Sequence, residues 1–217
     1  MWNETRGSST VVDRAIVGQG VWQESPLVGA DALLKKHQAT QSKAFRMTER
    51  PFLELVNVRG DTRDAAFVSA VESVIGCRPP EKPNTIAQGN GYDMLWLGPD
   101  EWLVRSATAH NAAQTAPLQG KLVAAFAGVF ASAVDIGSGY TVLEISGTRT
   151  REVLSRGCPL DLHPKLFGKG QCAQSHYFKA SLTLLPTGDD SFDLVIRRSF
   201  ADYFVKIMLD AAEPLMS

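Results

Sequence analysis

The sequence lacks any long apolar run, which argues against a membrane-spanning helix. Its apolar segments are short and broken by polar residues, whereas a spanning helix needs about 20 mostly apolar residues in a row. Residues 1–10 are polar and have no apolar centre of the kind found in secretory signal peptides. With 44% apolar and 21% charged residues, the composition is typical of a soluble globular protein. We therefore predict a cytoplasmic protein that does not associate with membranes.

Cysteine is scarce, and neither sign of charge is in excess. The three cysteines, Cys77, Cys158 and Cys172, are an odd number at scattered spacing, which is not the pattern of a disulfide framework. Basic residues number 22 and acidic residues 23, so the formal net charge is −1. This balance gives no electrostatic reason to expect nucleic acid or an anionic membrane as a partner.

Motifs of nucleotide binding and nucleophilic catalysis are also missing. Four Gly-x-Gly pairs occur, but none has the third glycine and the strand-turn-helix context that a dinucleotide requires, so we interpret them as turns. There is no Gly-x-Ser-x-Gly elbow. Two carboxylate pairs, Asp100 with Glu101 and Asp189 with Asp190, fall at predicted hairpin turns, where acidic residues are common for backbone reasons. The sequence predicts no catalytic and no cofactor-binding residue.

Two Cys–His pairs are the strongest candidates for a metal site. Cys158 is followed by His163, and Cys172 by His176, so four zinc-type ligands lie within nineteen positions. Their spacing matches none of the common structural zinc patterns, and strand alternation is expected to turn neighbours of the second pair to opposite faces. We interpret the four as core or loop residues and predict no metal site. A small zinc-binding module is the alternative.

From residue 51 onward, the apolar pattern predicts alternating strands and helices. Predicted strands cover 52–58, 92–97, 101–105, 129–136, 140–146, 178–184 and 192–196, and predicted helices cover 62–75, 116–126 and 148–155, with a last helix from 199. The order is β-α-β-β-α-β followed by β-α-β-β-α. This predicts a single α+β domain, 51–217, made of two ferredoxin-like halves at about 51–137 and 138–217. We expect Trp96 and Trp102, which flank the 98–100 turn, to cap the sheet edge.

Residues 1–50 carry little sustained periodicity, apart from a short helix predicted at 30–37. We interpret this region as an N-terminal arm that packs on the domain or on a partner. Trp2 and Trp22 are its interface candidates, because tryptophan is enriched where proteins meet. Packing of both rings on the domain's own surface is the alternative.

Several segments resemble one known family. They are Val-Asn-Val-Arg-Gly at 56–60, Leu-Trp-Leu-Gly-Pro-Asp-Glu-Trp-Leu-Val at 95–104, Val-Leu-Ser-Arg-Gly-Cys-Pro-Leu-Asp-Leu-His-Pro at 153–164, and Arg-Ser-Phe-Ala at 198–201, with Ser-Pro-Leu at 25–27. Together they resemble the gamma subunit of heterotetrameric sarcosine oxidase, from about residue 25 to the C-terminus. The segment at 95–104 is the most specific part of the match.

The resemblance implies a non-catalytic structural subunit beside alpha, beta and delta chains. That family implies an oxidase that demethylates sarcosine to glycine and forms hydrogen peroxide, with FAD, FMN, NAD, tetrahydrofolate and zinc on the other subunits. It also implies a fold similar to the folate-binding domain of the aminomethyltransferases. A stand-alone folate-binding protein of aminomethyltransferase type is the alternative, although such enzymes continue into a further C-terminal domain.

Overall fold

The computed structural model describes residues 24–109 and 117–216, which form an α+β fold with two antiparallel five-stranded sheets. The helices are α1 (Asp31–Ala39), α2 (Ala65–Ile75), α3 (Leu118–Ala125), α4 (Thr150–Ser155) and α5 (Ala201–Ala212). The strands are β1 (Arg46–Arg50), β2 (Leu53–Arg59), β3 (Ile86–Gly89), β4 (Tyr92–Gly98), β5 (Glu101–Ala109), β6 (Ser132–Asp135), β7 (Tyr140–Ser146), β8 (Ala173–Tyr177), β9 (Ala180–Pro186) and β10 (Ser191–Arg197). Within these ranges, no helix has the length and apolarity needed to cross a bilayer.

The first lobe is built on a sheet with strand order β3-β4-β5-β2-β6, covered on one face by α2 and α3. Helix α2 lies close to its predicted bounds because both of its ends have local stop signals. The Asp64 carboxylate accepts a hydrogen bond from Ala66 N at 2.8 Å and caps the N-terminus. Gly76 ends the helix in the left-handed region at φ 79°, where a glycine carries no Cβ penalty.

The second lobe has strand order β1-β7-β10-β9-β8, with α1, α4 and α5 packed against it. Strand β1 pairs with β7 just as β6 pairs with β2 in the first lobe. Residues 46–50, which the sequence pattern assigned to the arm, therefore supply an edge strand of this sheet. Trp2 and Trp22 lie outside the described residues.

Two sequence-based assignments in the second lobe need correction. The strand predicted at 178–184 begins at Ala180, because Phe178 lies in the turn after β8 with φ 49° and is 43% exposed. From Ala180 the predicted strand is confirmed, and Ala180, Leu182 and Leu184 on one of its faces are buried. The last helix, predicted from residue 199, begins at Ala201, because a 3-10 turn at Arg198–Phe200 precedes α5; no side chain caps the helix.

The two sheets meet along a shared apolar cluster, which sets the position of the polar groups described next. Its buried members come from both lobes: Leu53, Leu55, Leu95 and Leu103 from the first sheet, Val142, Leu185 and Val195 from the second, and Cys172 just before β8. Each sheet thus has one face against its own helices and one against the other sheet, as in a layered α+β architecture.

Candidate functional site

A cluster of four charged residues, three of them buried and Arg50 partly exposed, joins the two sheets. Arg105 on β5 is 4% exposed; its Nη2 lies 2.5 Å from Asp93 Oδ2 on β4, and its Nη1 also contacts Asp193 Oδ2 on β10. Arg50 on β1 donates from Nη1 to the same Asp193 oxygen at 2.6 Å. Asp193 is fully buried, and its carboxylate contacts two arginines that come from different sheets. We call these four residues the inter-sheet charge cluster.

The cluster is electrically balanced, with two arginines and two aspartates. Burial alone lowers the pKa of Arg105, but the charges and hydrogen bonds of Asp193 and Asp93 outweigh it and raise the pKa above its ordinary value. The guanidinium therefore remains a cation, with five donors in a fixed plane. Paired buried charges of this kind hold elements in register, and their removal one at a time is costly.

Neighbouring polar groups extend the cluster on both sides. Gln88 Nε2 donates to Asp93 Oδ1 at 2.6 Å, and Arg50 Nη2 donates to the Ala107 carbonyl at 2.5 Å. The Glu49 carboxylate accepts hydrogen bonds from Thr141 Oγ1 and from Ser25 Oγ, each at 2.6 Å. Through these bonds, the chain around residue 25 is tied to the same region of the second sheet.

The four residues of the candidate zinc site are not brought together. Cys158 lies in the core between the second sheet and its helices, with its Sγ 3.6 Å from Ser175 Oγ. Cys172 instead lies in the apolar cluster between the two sheets and contacts the carbonyls of Thr85 and Trp96. His163 and His176 are both exposed. Among the described residues, no group of three or more metal-ligating side chains is assembled.

Thiol labelling of the folded protein tests this placement of the cysteines. Burial raises the pKa of Cys172 to about 11, and burial together with the charges of Glu72 and Asp93 raises the pKa of Cys77. Because the thiolate is the reactive form, we expect Cys77, which is half-buried, to be labelled slowly near neutral pH, and Cys158 and Cys172 only after unfolding. Peptide mapping by mass spectrometry measures this. Labelling of either buried cysteine as fast as in denaturant would contradict the structure.

The segments that carry the family resemblance have folding roles in the structure. Trp102 does not cap a sheet edge, as its position near the turn suggested; it is fully buried in the first lobe's core and donates from Nε1 to the Pro80 carbonyl at 2.9 Å. Glu101 accepts from Asn57 at 2.7 Å and from Arg59 at 2.6 Å. A Cβ on Gly157 would lie 2.6 Å from the Phe178 ring, so this position needs glycine.

A shallow open groove of about 540 Å³ lies where the chain around residue 25 meets the start of α5. Its lining includes Ser25, Val28, Gly139, Arg197, Arg198 and Ser199. The Arg197 guanidinium lies 5.7 Å from the centre of the Tyr140 ring, and both arginines are exposed. The groove therefore presents solvated positive charge rather than the desolvated ionisable groups that mark many reaction sites.

Sequence reasoning missed the inter-sheet charge cluster. Arg105 and Asp193 are 88 residues apart, and each stands inside a strand whose pattern indicates only that it is partly buried. The available signal was a charged residue in the middle of a mostly apolar strand, because such residues are rarely buried unless they are paired.

Comparison with known proteins gives consistent results. The family model described as "Sarcosine oxidase, gamma subunit family" matches residues 59–213. A sarcosine oxidase subunit gamma from Corynebacterium sp. (strain P-1) is 30% identical over 181 residues, covering 83% of this chain and 86% of the relative. A solved chain from the heterotetrameric sarcosine oxidase of Corynebacterium sp. U-96 is similar with a TM-score of 0.80 at 24% identity, covering 90% of this chain and 97% of that one.

The fold is also similar to part of an aminomethyltransferase. The glycine cleavage system aminomethyltransferase T from Bartonella henselae superposes with a TM-score of 0.57 at 15% identity, over 82% of this chain and 48% of that chain. At this identity the likeness concerns the fold alone. The family match, by contrast, spans most of the chain and includes the segments at 95–104 and 153–164. This chain belongs to the sarcosine oxidase gamma subunit family.

Proposed function

We propose that this chain is a structural, non-catalytic subunit of a sarcosine oxidase complex. Its family membership carries the proposal, since the relatives of similar length are gamma subunits of such an oxidase. In this proposal, other subunits carry out the oxidative demethylation of sarcosine to glycine with formation of hydrogen peroxide. The partners are the alpha, beta and delta chains, which hold FAD, FMN, NAD, tetrahydrofolate and zinc, while this chain binds no cofactor.

The internal use of the buried charges supports this assignment. Arg105, Asp93, Asp193 and Arg50 bind one another across the two sheets, so these charges are committed to holding the lobes together. We further propose that the lobes are two ferredoxin-like halves of the type found in the folate-binding domain of aminomethyltransferases. Trp2 and Trp22, on the N-terminal arm, remain the candidate contacts with a partner chain.

Purification of the tagged chain from its native host tests the proposal. We expect a larger flavin-bearing chain to co-purify, a flavin absorption spectrum, and peroxide formation when sarcosine is added. A colourless lone chain that binds tetrahydrofolate would instead support the alternative, a stand-alone folate-binding protein of aminomethyltransferase type, which the fold similarity favours.

A further inference from the structure

The outer edge of the first sheet exposes an unusual amount of apolar surface. Phe130, in the turn before β6, is 98% exposed, the highest value for a large apolar side chain among the described residues, and Val134 on β6 is 52% exposed. No charged residue occurs from 122 to 134. A fully solvated aromatic ring in a stretch without charge is typical of a surface that another protein covers.

Strand β6 also presents backbone donors to the outside. It pairs only with β2 in the part of the chain that the structure describes. Since Ile136 N donates to the Leu55 carbonyl at 2.9 Å, the alternation of an antiparallel ladder turns the N–H groups of Ala133 and Asp135 away from β2. The outward Ala133 carbonyl accepts a bond of 3.3 Å from Gln119, so the two N–H groups are the main donors that remain.

The other three sheet edges present charged or polar side chains, or backbone bonds to the second lobe. Strand β1 carries Arg46, Glu49 and Arg50. The edge at β3 continues into backbone bonds with the second lobe, where Ile86 N donates to the Gly170 carbonyl at 2.9 Å. Strand β8 bears Gln174, Ser175 and His176.

Charge, cover or polar side chains are the usual protection of a free edge. On β6 the one charged side chain, Asp135, is turned back to accept from Gly137 N at 2.8 Å. Among the described residues, the exposed side chains of Phe130 and Val134 distinguish this edge from β1, β3 and β8 and are typical of a docking surface.

We propose that the β6 edge, meaning Phe130 together with Ser132–Asp135, docks an extended apolar segment of a larger subunit of the oxidase. This inference rests on the function proposed above and specifies a contact surface for it. The docked segment adds a strand to the sheet by accepting hydrogen bonds from the Ala133 and Asp135 amides, and the Phe130 ring inserts between apolar side chains of the partner. The occupant is apolar where it meets Phe130 and Val134, because no charged residue occurs from 122 to 134 to pair with a charge buried against these two side chains.

Assembly with charged variants of the edge tests the proposal. The full tagged chain is co-produced with the other oxidase subunits as wild type, Phe130→Glu or Val134→Lys, and the amount of larger subunit recovered per tagged chain is measured at several concentrations. We expect each variant to weaken assembly by at least about tenfold, the loss expected of a central aromatic or apolar contact. Phe130→Trp, which retains the apolar ring, should assemble nearly as wild type.

A matched control separates this surface from apolar exposure in general. Leu166 is 61% exposed in a turn of the second lobe, so Leu166→Glu makes the same kind of change elsewhere and should leave assembly unchanged. Thermal unfolding of each isolated chain verifies that the variants fold, as expected for side chains exposed to this degree. Hydrogen exchange adds an independent readout, since the amides of Ala133 and Asp135 should become protected on assembly.

The possible outcomes are distinct. If wild type assembles and both edge variants assemble equally well, or if Leu166→Glu weakens assembly as much as they do, the docking proposal is wrong while the proposed function stands. If wild type recovers no larger subunit, both are overturned. Self-association of the isolated chain that Phe130→Glu abolishes, with assembly unaffected, would assign the edge to a second copy and overturn the proposal.

Discussion

Replacing Asp193 by alanine is expected to lower the free energy of unfolding by about 3–5 kcal/mol, the range observed when one partner of a buried ion pair is removed. The carboxylate is fully buried and receives both Arg105 and Arg50. Its loss leaves the Arg105 guanidinium buried with one carboxylate, that of Asp93, and removes the direct charge contact between the two sheets. Urea unfolding of the isolated chain, followed by circular dichroism, measures the difference.

Two controls make this prediction specific. Lys35→Ala breaks an exposed pair, in which Lys35 Nζ lies 2.7 Å from Asp31 Oδ2, and should cost less than about 1 kcal/mol. The triple variant Asp93→Leu, Arg105→Met, Asp193→Leu should regain most of the loss, because apolar residues replace a cluster that is incompletely satisfied. Asp193 Oδ1 and Arg105 Nε are buried with no hydrogen-bond partner among the described residues. A single Asp193→Ala variant as stable as wild type would show that the cluster does not hold the lobes together.

Replacing Trp102 by alanine should also destabilise the protein by about 3–5 kcal/mol, as is usual for a large aromatic removed from a core. The ring is fully buried, and its centre is 5.6 Å from that of Phe67. The indole also satisfies the Pro80 carbonyl, so the chain around residue 80 loses its anchor to β5. Thermal and urea unfolding of the isolated variant measure the effect.

Trp96 provides the matched comparison, because it stands across the same hairpin and is half-buried. Trp96→Ala should cost clearly less than Trp102→Ala. Trp102→Phe keeps a large ring but removes the N–H that bonds the Pro80 carbonyl. Its free energy of unfolding should be lower than that of wild type by roughly 1–3 kcal/mol, the cost of leaving that acceptor unsatisfied, and higher than that of Trp102→Ala. Equal effects of alanine at both positions would mean that Trp102 is not the core residue the structure shows.

Local signals predicted a large part of the first lobe. The Gly-Pro-Asp turn correctly joined β4 to β5, since proline and glycine restrict or permit backbone angles regardless of distant contacts. Helix α2, predicted at 62–75, is found close to these bounds, since Asp64 caps its N-terminus and Gly76 ends it. These features depend on residues only a few positions apart, and local sequence is sufficient for them.

Features that depend on distant residues were not predictable in the same way. Strand β1 has a mixed polar sequence, Arg-Met-Thr-Glu-Arg, and becomes a strand because β7, almost a hundred residues later, supplies its hydrogen bonds. Strand β3 is four residues long with no clear alternation, and it forms on the edge that β4 provides. In both cases, the partner strand decides the conformation.

The candidate sites show the same division. The spacing of Cys158, His163, Cys172 and His176 suggested a cluster, but Cys172 and Ser175, which contacts Cys158, lie on opposite faces at β8. No local motif marks the inter-sheet charge cluster, which is formed by Arg105, Asp93, Asp193 and Arg50. A strand pattern indicates which face a side chain occupies, but not which strand faces it from the other sheet.

The sequence by itself determined the α+β class, the hairpin turns at 98–100 and 189–190, and the family, because apolar periodicity, turn chemistry and family segments are local properties of the chain. Only the tertiary structure decided that residues 46–50 complete the second sheet, that Trp102 is a core residue, and that β6 is left as an apolar edge. The physical reason is that strand pairing and charge pairing gain their free energy from contacts between residues far apart in sequence, and those contacts exist only once the two sheets have packed.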